Sequence, residues 1–219
     1  MDFLAVGILG SLWGSFANVC IYRLPLKGGV VKGRSFCPKC KKKIFWYENI
    51  PILSYLILGG KCSKCKKKIS TQYLLVEAIS IFSFLIIYYL FGISFTTILL
   101  IILFLSFLII FFIDLKYYII PDILTFPMMV LGFVKSFDPN LNPIFPNYTN
   151  SLLGGIIGYG IIWLIIMFYK KIRNREGMGL GDAKLLAVIG FWFGWISIPF
   201  VIFLSSTIAL IVVVPDLLK

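Results

Sequence analysis

Long apolar runs, separated by short polar segments, dominate this chain. A helix that crosses a bilayer needs about 20 apolar residues. Seven segments approach that length, and the fourth and sixth, which are short or have polar ends, have the least certain limits: 3–22, 72–91, 95–113, 118–134, 151–169, 183–196 and 198–215. The pattern predicts an all-α polytopic membrane protein with about seven transmembrane helices. We expect the first segment to be a retained span, because it has neither a basic leader nor a small-residue cleavage site.

Composition supports lipid as the main solvent of the chain. Of its 219 residues, 60% are hydrophobic and 14% are charged, whereas a soluble domain has about 45–50% and about 25%. A large soluble core is therefore excluded. The chain also has no histidine, which excludes histidine general bases, histidine metal ligands and Ser-His triads.

Positive charge is concentrated in one inter-span segment, residues 23–71. Its 13 Lys and Arg, less its one acid Glu48, give +12, the net charge of the whole chain. Nucleic acid is one partner for such a patch, but we favour a cytoplasmic loop beside anionic lipid, with no nucleic acid bound. This orientation also places the basic residues of segment 170–182 inside and leaves only Lys135 and Asp138 as charges in the outer segment 135–150.

Four cysteines in the basic loop form two CxxC pairs, with 21 residues between the pairs: Cys37, Cys40, Cys62 and Cys65. Such spacing suits a tetrahedral tetrathiolate zinc site, and neighbouring lysines favour the thiolate form. With four sulfur ligands the zinc is structural and cannot activate water. The alternative is redox dithiols or disulfides, which a cytoplasmic location disfavours. Cys20 is interpreted as a small apolar residue, and residues 45–53 as an interfacial re-entrant segment or as packing beneath the zinc module.

Carboxylates within or beside apolar spans are costly and are candidates for function. There are four of them: Glu77, Asp114, Asp122 and Asp182. The predicted topology puts Asp114 and Asp182 on the cytoplasmic side, where two carboxylates that share a proton perform aspartyl protease chemistry. The structural alternatives are helix N-caps for Asp122 and Asp182, and pairing of Asp114 with Lys116 or a lipid head group.

The order of these features resembles the bacterial type IV prepilin peptidases, which are membrane aspartyl proteases that also N-methylate their product. The resemblance extends over most of the chain and rests on the following stretches: Gly14–Pro25, the double CxxC loop with Glu48–Pro51, Tyr73–Glu77, Asp114 through Pro121-Asp122, and Gly179-Leu180-Gly181-Asp182-Ala183-Lys184.

The resemblance implies catalytic roles for Asp114 and Asp182 and a pilin or pseudopilin precursor as substrate, cleaved at the cytoplasmic boundary of the bacterial inner membrane. It implies methylation of the new amino terminus with S-adenosylmethionine, associated with residues 1–71, and a peptidase domain over residues 72–219. Glu48 and Asn49 become candidate cofactor-binding residues by motif position alone. Family members usually continue past the seventh span, so we expect a short or truncated carboxyl end here. The competing function is a zinc-stabilised membrane scaffold or transporter with ion-carrying carboxylates, and a thiol redox enzyme is a third alternative.

Overall fold

Helices account for nearly all the regular structure in a computed structural model of the chain, which describes residues 2–26, 35–37, 39–141, 144–174 and 179–217. Predictions that involve Lys27, Lys32, Arg34, Arg175, Gly177, Met178 or Lys219 lie outside these residues. Within them there is no strand, only two isolated bridges in the cysteine loop. The eight helices are α1 Phe3–Arg23, α2 Leu53–Ile57, α3 Thr71–Phe91, α4 Phe95–Tyr117, α5 Asp122–Val134, α6 Tyr148–Arg173, α7 Leu180–Phe193 and α8 Ser197–Leu217.

The chain divides into two compact units, Met1–Ile119 and Ile120–Lys219. In the first unit α1 packs along α3, and both contact α4. Gly14 allows the close approach of α1 and α3, because a Cβ atom there would lie 2.9 Å from the Glu77 Cα. The two helices that frame the cysteine loop in sequence are thereby brought together beneath it.

The second unit is built around α7, which packs against α5, α6 and α8. Gly154 of α6 and Gly190 of α7 meet so closely that a Cβ on either would collide with the backbone of the other, as is common where small residues line membrane helix interfaces. Side-chain hydrogen bonds join the same helices. The Trp192 indole donates to the Met128 carbonyl at 2.8 Å, and the Ser151 hydroxyl donates to the Phe191 carbonyl at 2.6 Å.

The all-α prediction is confirmed, and among the described residues five helices are long and apolar enough to cross a bilayer: Phe3–Leu26, Thr71–Phe91, Phe95–Tyr117, Tyr148–Arg173 and Ser197–Val214. The other two predicted spans correspond to α5 and α7, with 13 and 14 residues. At about 1.5 Å per residue each is only about 20 Å long, short of a full hydrocarbon core. The count of seven spans therefore stays a prediction.

Candidate functional site

Four cysteine sulfurs converge in the loop between α1 and α3. The Cys37 and Cys65 sulfurs are 4.0 Å apart, those of Cys40 and Cys62 are 3.9 Å apart, and all four lie within 4.8 Å of one another. Zinc–sulfur bonds of about 2.3 Å in a tetrahedron require sulfur separations of about 3.8 Å. None of the cysteines forms a disulfide. The four side chains are therefore positioned to bind a metal ion in the predicted way.

The two cysteine pairs fold in the same way. In each, the first cysteine's N–H donates to the carbonyl five residues on, and its own carbonyl accepts from the N–H four residues on. That fourth residue, Lys41 or Lys66, has a left-handed backbone with φ of 55°. The sequences repeat as well, since Cys-x-Lys-Cys-Lys-Lys-Lys-Ile occurs at 37–44 and again at 62–69.

Lys42 connects three parts of the loop. Its ammonium donates to Glu48 Oε1 at 2.8 Å and to the Ser63 hydroxyl at 2.7 Å, and it lies 5.2 Å from the centre of the Phe45 ring. The hydrogen bond from Lys42, with others from Ser63 and the Phe45 N–H, lowers the pKa of Glu48 to about 2. Glu48 is therefore a fixed negative charge that organises the loop, and a carboxyl with so low a pKa is a poor proton acceptor.

A cavity of about 580 Å³ lies within the first unit, and its volume is typical of sites for small molecules. Its walls come from α1, the cysteine loop, the first two turns of α3 and Lys116 near the end of α4. Glu48 and Asn49, the two candidate cofactor-binding residues, both line it. The structure thus places these residues beside a cavity that their sequence positions alone did not predict.

Two buried acceptors, Asn18 and Glu77, line this cavity. The Asn18 amide donates to the Tyr73 carbonyl at 3.0 Å, but its side-chain oxygen is buried without a hydrogen-bond partner in the part of the chain that is described. Glu77 Oε2 accepts from the Ile52 N–H at 2.8 Å, and Ser15 donates a further hydrogen bond to the carboxylate. Buried polar atoms nearly always have partners, so the Asn18 oxygen at the cavity wall is an acceptor for a ligand or a water molecule in the cavity.

Ile52 has an unusual backbone at this cavity, with φ of 59° and ψ of −53°. A β-branched residue at positive φ is an outlier, and such strain costs about 1–3 kcal/mol and is found most often at functional sites. The hydrogen bond to Glu77 holds Ile52 in this conformation. Residues 45–53, assigned from sequence to an interfacial segment or to packing beneath the zinc module, are thus tied to α3 and form part of the cavity wall.

The two candidate catalytic aspartates occupy helix ends, one in each unit. Asp114 is exposed in the last turn of α4, and its carbonyl accepts from the N–H of Tyr118, whose left-handed backbone ends the helix. The nearby Lys116 ammonium lies 5.1 Å from the Tyr117 ring centre. Asp114 is therefore accessible at the end of an apolar span, as the sequence predicted.

Asp182 is half-buried in the first turn of α7, where a negative charge is favourable to the helix dipole. The helix begins three residues earlier than the predicted span, at Leu180, with Gly179 as its N-cap. The alternative that Asp182 is an N-cap is therefore wrong. Gly181 is covered by Ile120, whose Cβ would be 3.0 Å from a Cβ at that position, so a larger residue there would push Ile120 aside.

Asp122, the remaining candidate, has an identified partner. It is the first residue of α5, and it accepts from the Lys184 ammonium at 2.6 Å. Because Pro121 is the N-cap and no side chain caps the helix, the N-cap alternative is wrong for Asp122 as well. The pairing joins the beginnings of α5 and α7, which the sequence did not reveal because 62 positions separate the two residues.

Comparison with known proteins assigns both parts of the chain. Residues 8–91 match the model of the bacterial peptidase A24 N-terminal domain, and residues 99–214 match that of the type IV leader peptidase family. A prepilin leader peptidase/N-methyltransferase of Neisseria gonorrhoeae is 36% identical over 93% of this chain and 78% of its own length. Proteins of the same name from Pseudomonas aeruginosa, 35% identical over 93% and 77%, and from Vibrio cholerae, 36% identical over 93% and 82%, are similarly related. No solved structure matches.

Proposed function

Because the chain belongs to the type IV leader peptidase family, we propose that it removes the leader from prepilin or pseudopilin precursors and methylates the new amino terminus. The observation that carries the peptidase proposal is the placement of Asp114 and Asp182. Each lies at the end of an apolar helix in a chain without histidine. Water-activating chemistry by carboxylates needs no other side chain.

In the proposed reaction the two aspartates share one proton. The ionised carboxylate takes a proton from water as the water attacks the scissile carbonyl carbon, and the protonated carboxyl donates to the carbonyl oxygen. As the tetrahedral intermediate collapses, the aspartate that took the proton from water passes it to the leaving nitrogen, and the other aspartate takes back its proton from the hydroxyl group. The peptide bond breaks, leaving a carboxylic acid on the leader and a free amine on the mature chain. We place both aspartates at the cytoplasmic face of the bacterial inner membrane, because that orientation keeps the basic loop inside.

The four clustered cysteines fit a structural zinc ion. Their sulfur separations match a tetrathiolate shell, and the Cys65 and Lys64 N–H groups donate hydrogen bonds to the Cys62 sulfur, which stabilise its metal-binding thiolate. Cys37, Cys40, Cys62 and Cys65 would hold the ion and leave no open coordination position. Its contribution is to fix the loop that walls the cavity, and not to activate a reactant.

The test is incubation of purified, detergent-solubilised protein with a prepilin that carries its basic leader and hydrophobic helix, with and without S-adenosylmethionine. Mass spectrometry should show loss of the leader, plus the mass of one methyl group when the methyl donor is present. The scaffold or transporter alternative predicts an unchanged precursor in both reactions. An intact precursor after incubation with a folded, zinc-loaded sample would refute the proposed function.

A further inference from the structure

The cavity of the first unit offers acceptors whose natural partner is a cation. Glu77 is 8% exposed, and no Lys or Arg in the described part of the chain forms an ion pair with it. A buried carboxylate without a counter-charge is costly, and its two hydrogen bonds from Ile52 and Ser15 leave further lone pairs available. The unpaired Asn18 oxygen, on the facing helix α1, is a second acceptor in the same cavity.

The rest of the lining suits the other parts of a positively charged nucleoside. The rings of Tyr22 and Phe36 lie edge to face with centres 6.4 Å apart and give an aromatic wall for a purine base. The lining also contains basic side chains that suit a carboxylate, namely Lys39, Lys67, Lys68 and Lys116, in addition to Arg23 and the Glu48-paired Lys42. S-adenosylmethionine combines a purine, a carboxylate and a cationic sulfonium, and the aromatic wall, the basic side chains and the two buried acceptors of this cavity offer a counterpart to these three groups.

We infer that this cavity is the methyl-transfer site, in which the Asn18 oxygen and the Glu77 carboxylate face the S-adenosylmethionine cation. This inference rests on the methylation proposed above. Glu48 and Asn49 belong to its wall, and Glu48 acts through Lys42 to shape the loop. Neither residue is assigned contact with the reacting atoms.

Charge balance explains why a buried, unpaired carboxylate suits this reaction. The neutral amine nitrogen forms a bond to the methyl carbon as the carbon–sulfur bond breaks, and the bond's electron pair returns to sulfur. Positive charge thus moves from sulfur to nitrogen, and the excess proton on nitrogen can pass to Glu77. The pair of Glu77 carboxylate and sulfonium has no net charge before the transfer, and the protonated carboxyl, neutral thioether and methylamine that replace it have none after it. The charges of the basic side chains in the lining do not change in this step.

Ligand binding to the purified full chain tests the site without relying on turnover. Wild-type protein should bind S-adenosylmethionine about tenfold more tightly than S-adenosylhomocysteine, because only the former carries the sulfonium charge that Glu77 accepts. In Glu77→Gln, which keeps the size of the side chain, we expect this preference to disappear through weaker binding of the charged ligand. Asn18→Leu should weaken the binding of both ligands about tenfold.

Ser106→Ala is the matched control. Ser106 is also buried in the first unit, but its hydroxyl donates to the Ile102 carbonyl of its own helix and it does not line the cavity. It should bind both ligands as wild type does. Leader cleavage by the same preparations shows that the variants are folded.

Photo-crosslinking of radiolabelled S-adenosylmethionine to wild-type protein gives a second readout that does not depend on any substitution. Label should appear in peptides from the cavity lining, within residues 15–23, 35–58 or 62–77. Two results would overturn this site, even if methylation itself is observed. One is label confined to residues 120–219. The other is a wild-type ligand preference in Glu77→Gln together with unaltered affinity in Asn18→Leu. A protein that cleaves prepilin but neither binds the donor nor methylates the product would instead refute the proposed methylation.

Discussion

At the scale of single residues, the carboxylates have separable roles. Asp114 and Asp182 occupy helix ends in the motif positions, Asp122 is neutralised by Lys184, and Glu77 is buried in the cavity wall. The sequence identified all four as candidates because charges near apolar spans are rare. It could not reveal that Asp122 pairs with Lys184, because this contact depends on how α5 packs on α7.

Asp122→Asn tests this separation. The ion pair is partly exposed, with 55% of the Asp122 side chain accessible, and exposed pairs contribute about 0–1 kcal/mol. We expect leader cleavage to persist and the unfolding free energy to fall by no more than about 1 kcal/mol. Loss of cleavage in a variant with a normal thermal unfolding curve would show that Asp122 takes part in the chemistry.

At the scale of helices, the apolar runs predicted the five long spans to within a few residues, because lipid imposes length and composition on them. The short helices were harder. α7 begins with Leu180 and ends at Phe193, whereas hydrophobicity alone placed it three residues later. The pattern of apolar residues does not reveal that Gly179 is the N-cap of α7 or that Gly190 contacts α6. The cavity was not predicted at all, because it depends on the packing of α1 on α3 through Gly14 and on the conformation of Ile52.

Gly190→Ala tests the close contact of α6 and α7. The added Cβ would collide with the Gly154 backbone, which cannot move as a flexible side chain does, so we expect a loss of about 1–3 kcal/mol in unfolding free energy. The control is Gly160→Ala on α6, where a Cβ meets nothing within 4 Å. It should be neutral or slightly stabilising. Equal unfolding temperatures for the two variants in detergent would contradict this helix packing.

Removal of the metal tests the role of the cysteine module. Cys37→Ser combined with Cys40→Ser, or treatment with a strong zinc chelator, should impair methylation more than leader cleavage. The reason is that the loop forms part of the cavity wall, whereas the zinc takes no part in peptide hydrolysis. Elemental analysis should find about one zinc per four-cysteine site before treatment. Equal loss of both activities in a folded sample would contradict this division of labour, and an active metal-free protein would refute the tetrathiolate zinc.

At the scale of the whole molecule, membership of the prepilin peptidase family, inferred from ordered motifs, is confirmed by the comparisons, and the scaffold or transporter alternative is not favoured. The division of the two functions at residue 71 stays a prediction. The boundary between the compact units lies instead between Ile119 and Ile120, and the cavity is lined by residues of α1, the loop, α3 and α4. The proposed orientation rests only on the distribution of Lys and Arg among the loops. This charge bias acts when the chain inserts into the membrane, and it leaves no contact in the folded protein that would record it.

Orientation can be checked by cysteine labelling in intact cells. A membrane-impermeant thiol reagent should label a cysteine introduced at Asp138, in the segment between α5 and α6, and should not label one introduced at Lys171, near the end of α6. The unsubstituted chain sets the background from its five native cysteines. The reverse labelling pattern would place the basic loop outside and contradict the proposed topology.

The most direct test of the account is the kinetics of leader cleavage by Asp114→Asn, Asp182→Asn and the double variant, measured with one prepilin in the same detergent. Two carboxylates that act as a unit are not additive in their effects. We therefore predict that each single variant folds, retains its zinc and loses nearly all cleavage, and that the double variant is no slower than either. Substantial cleavage by either single variant, or losses that multiply in the double variant, would contradict a shared-proton aspartyl mechanism.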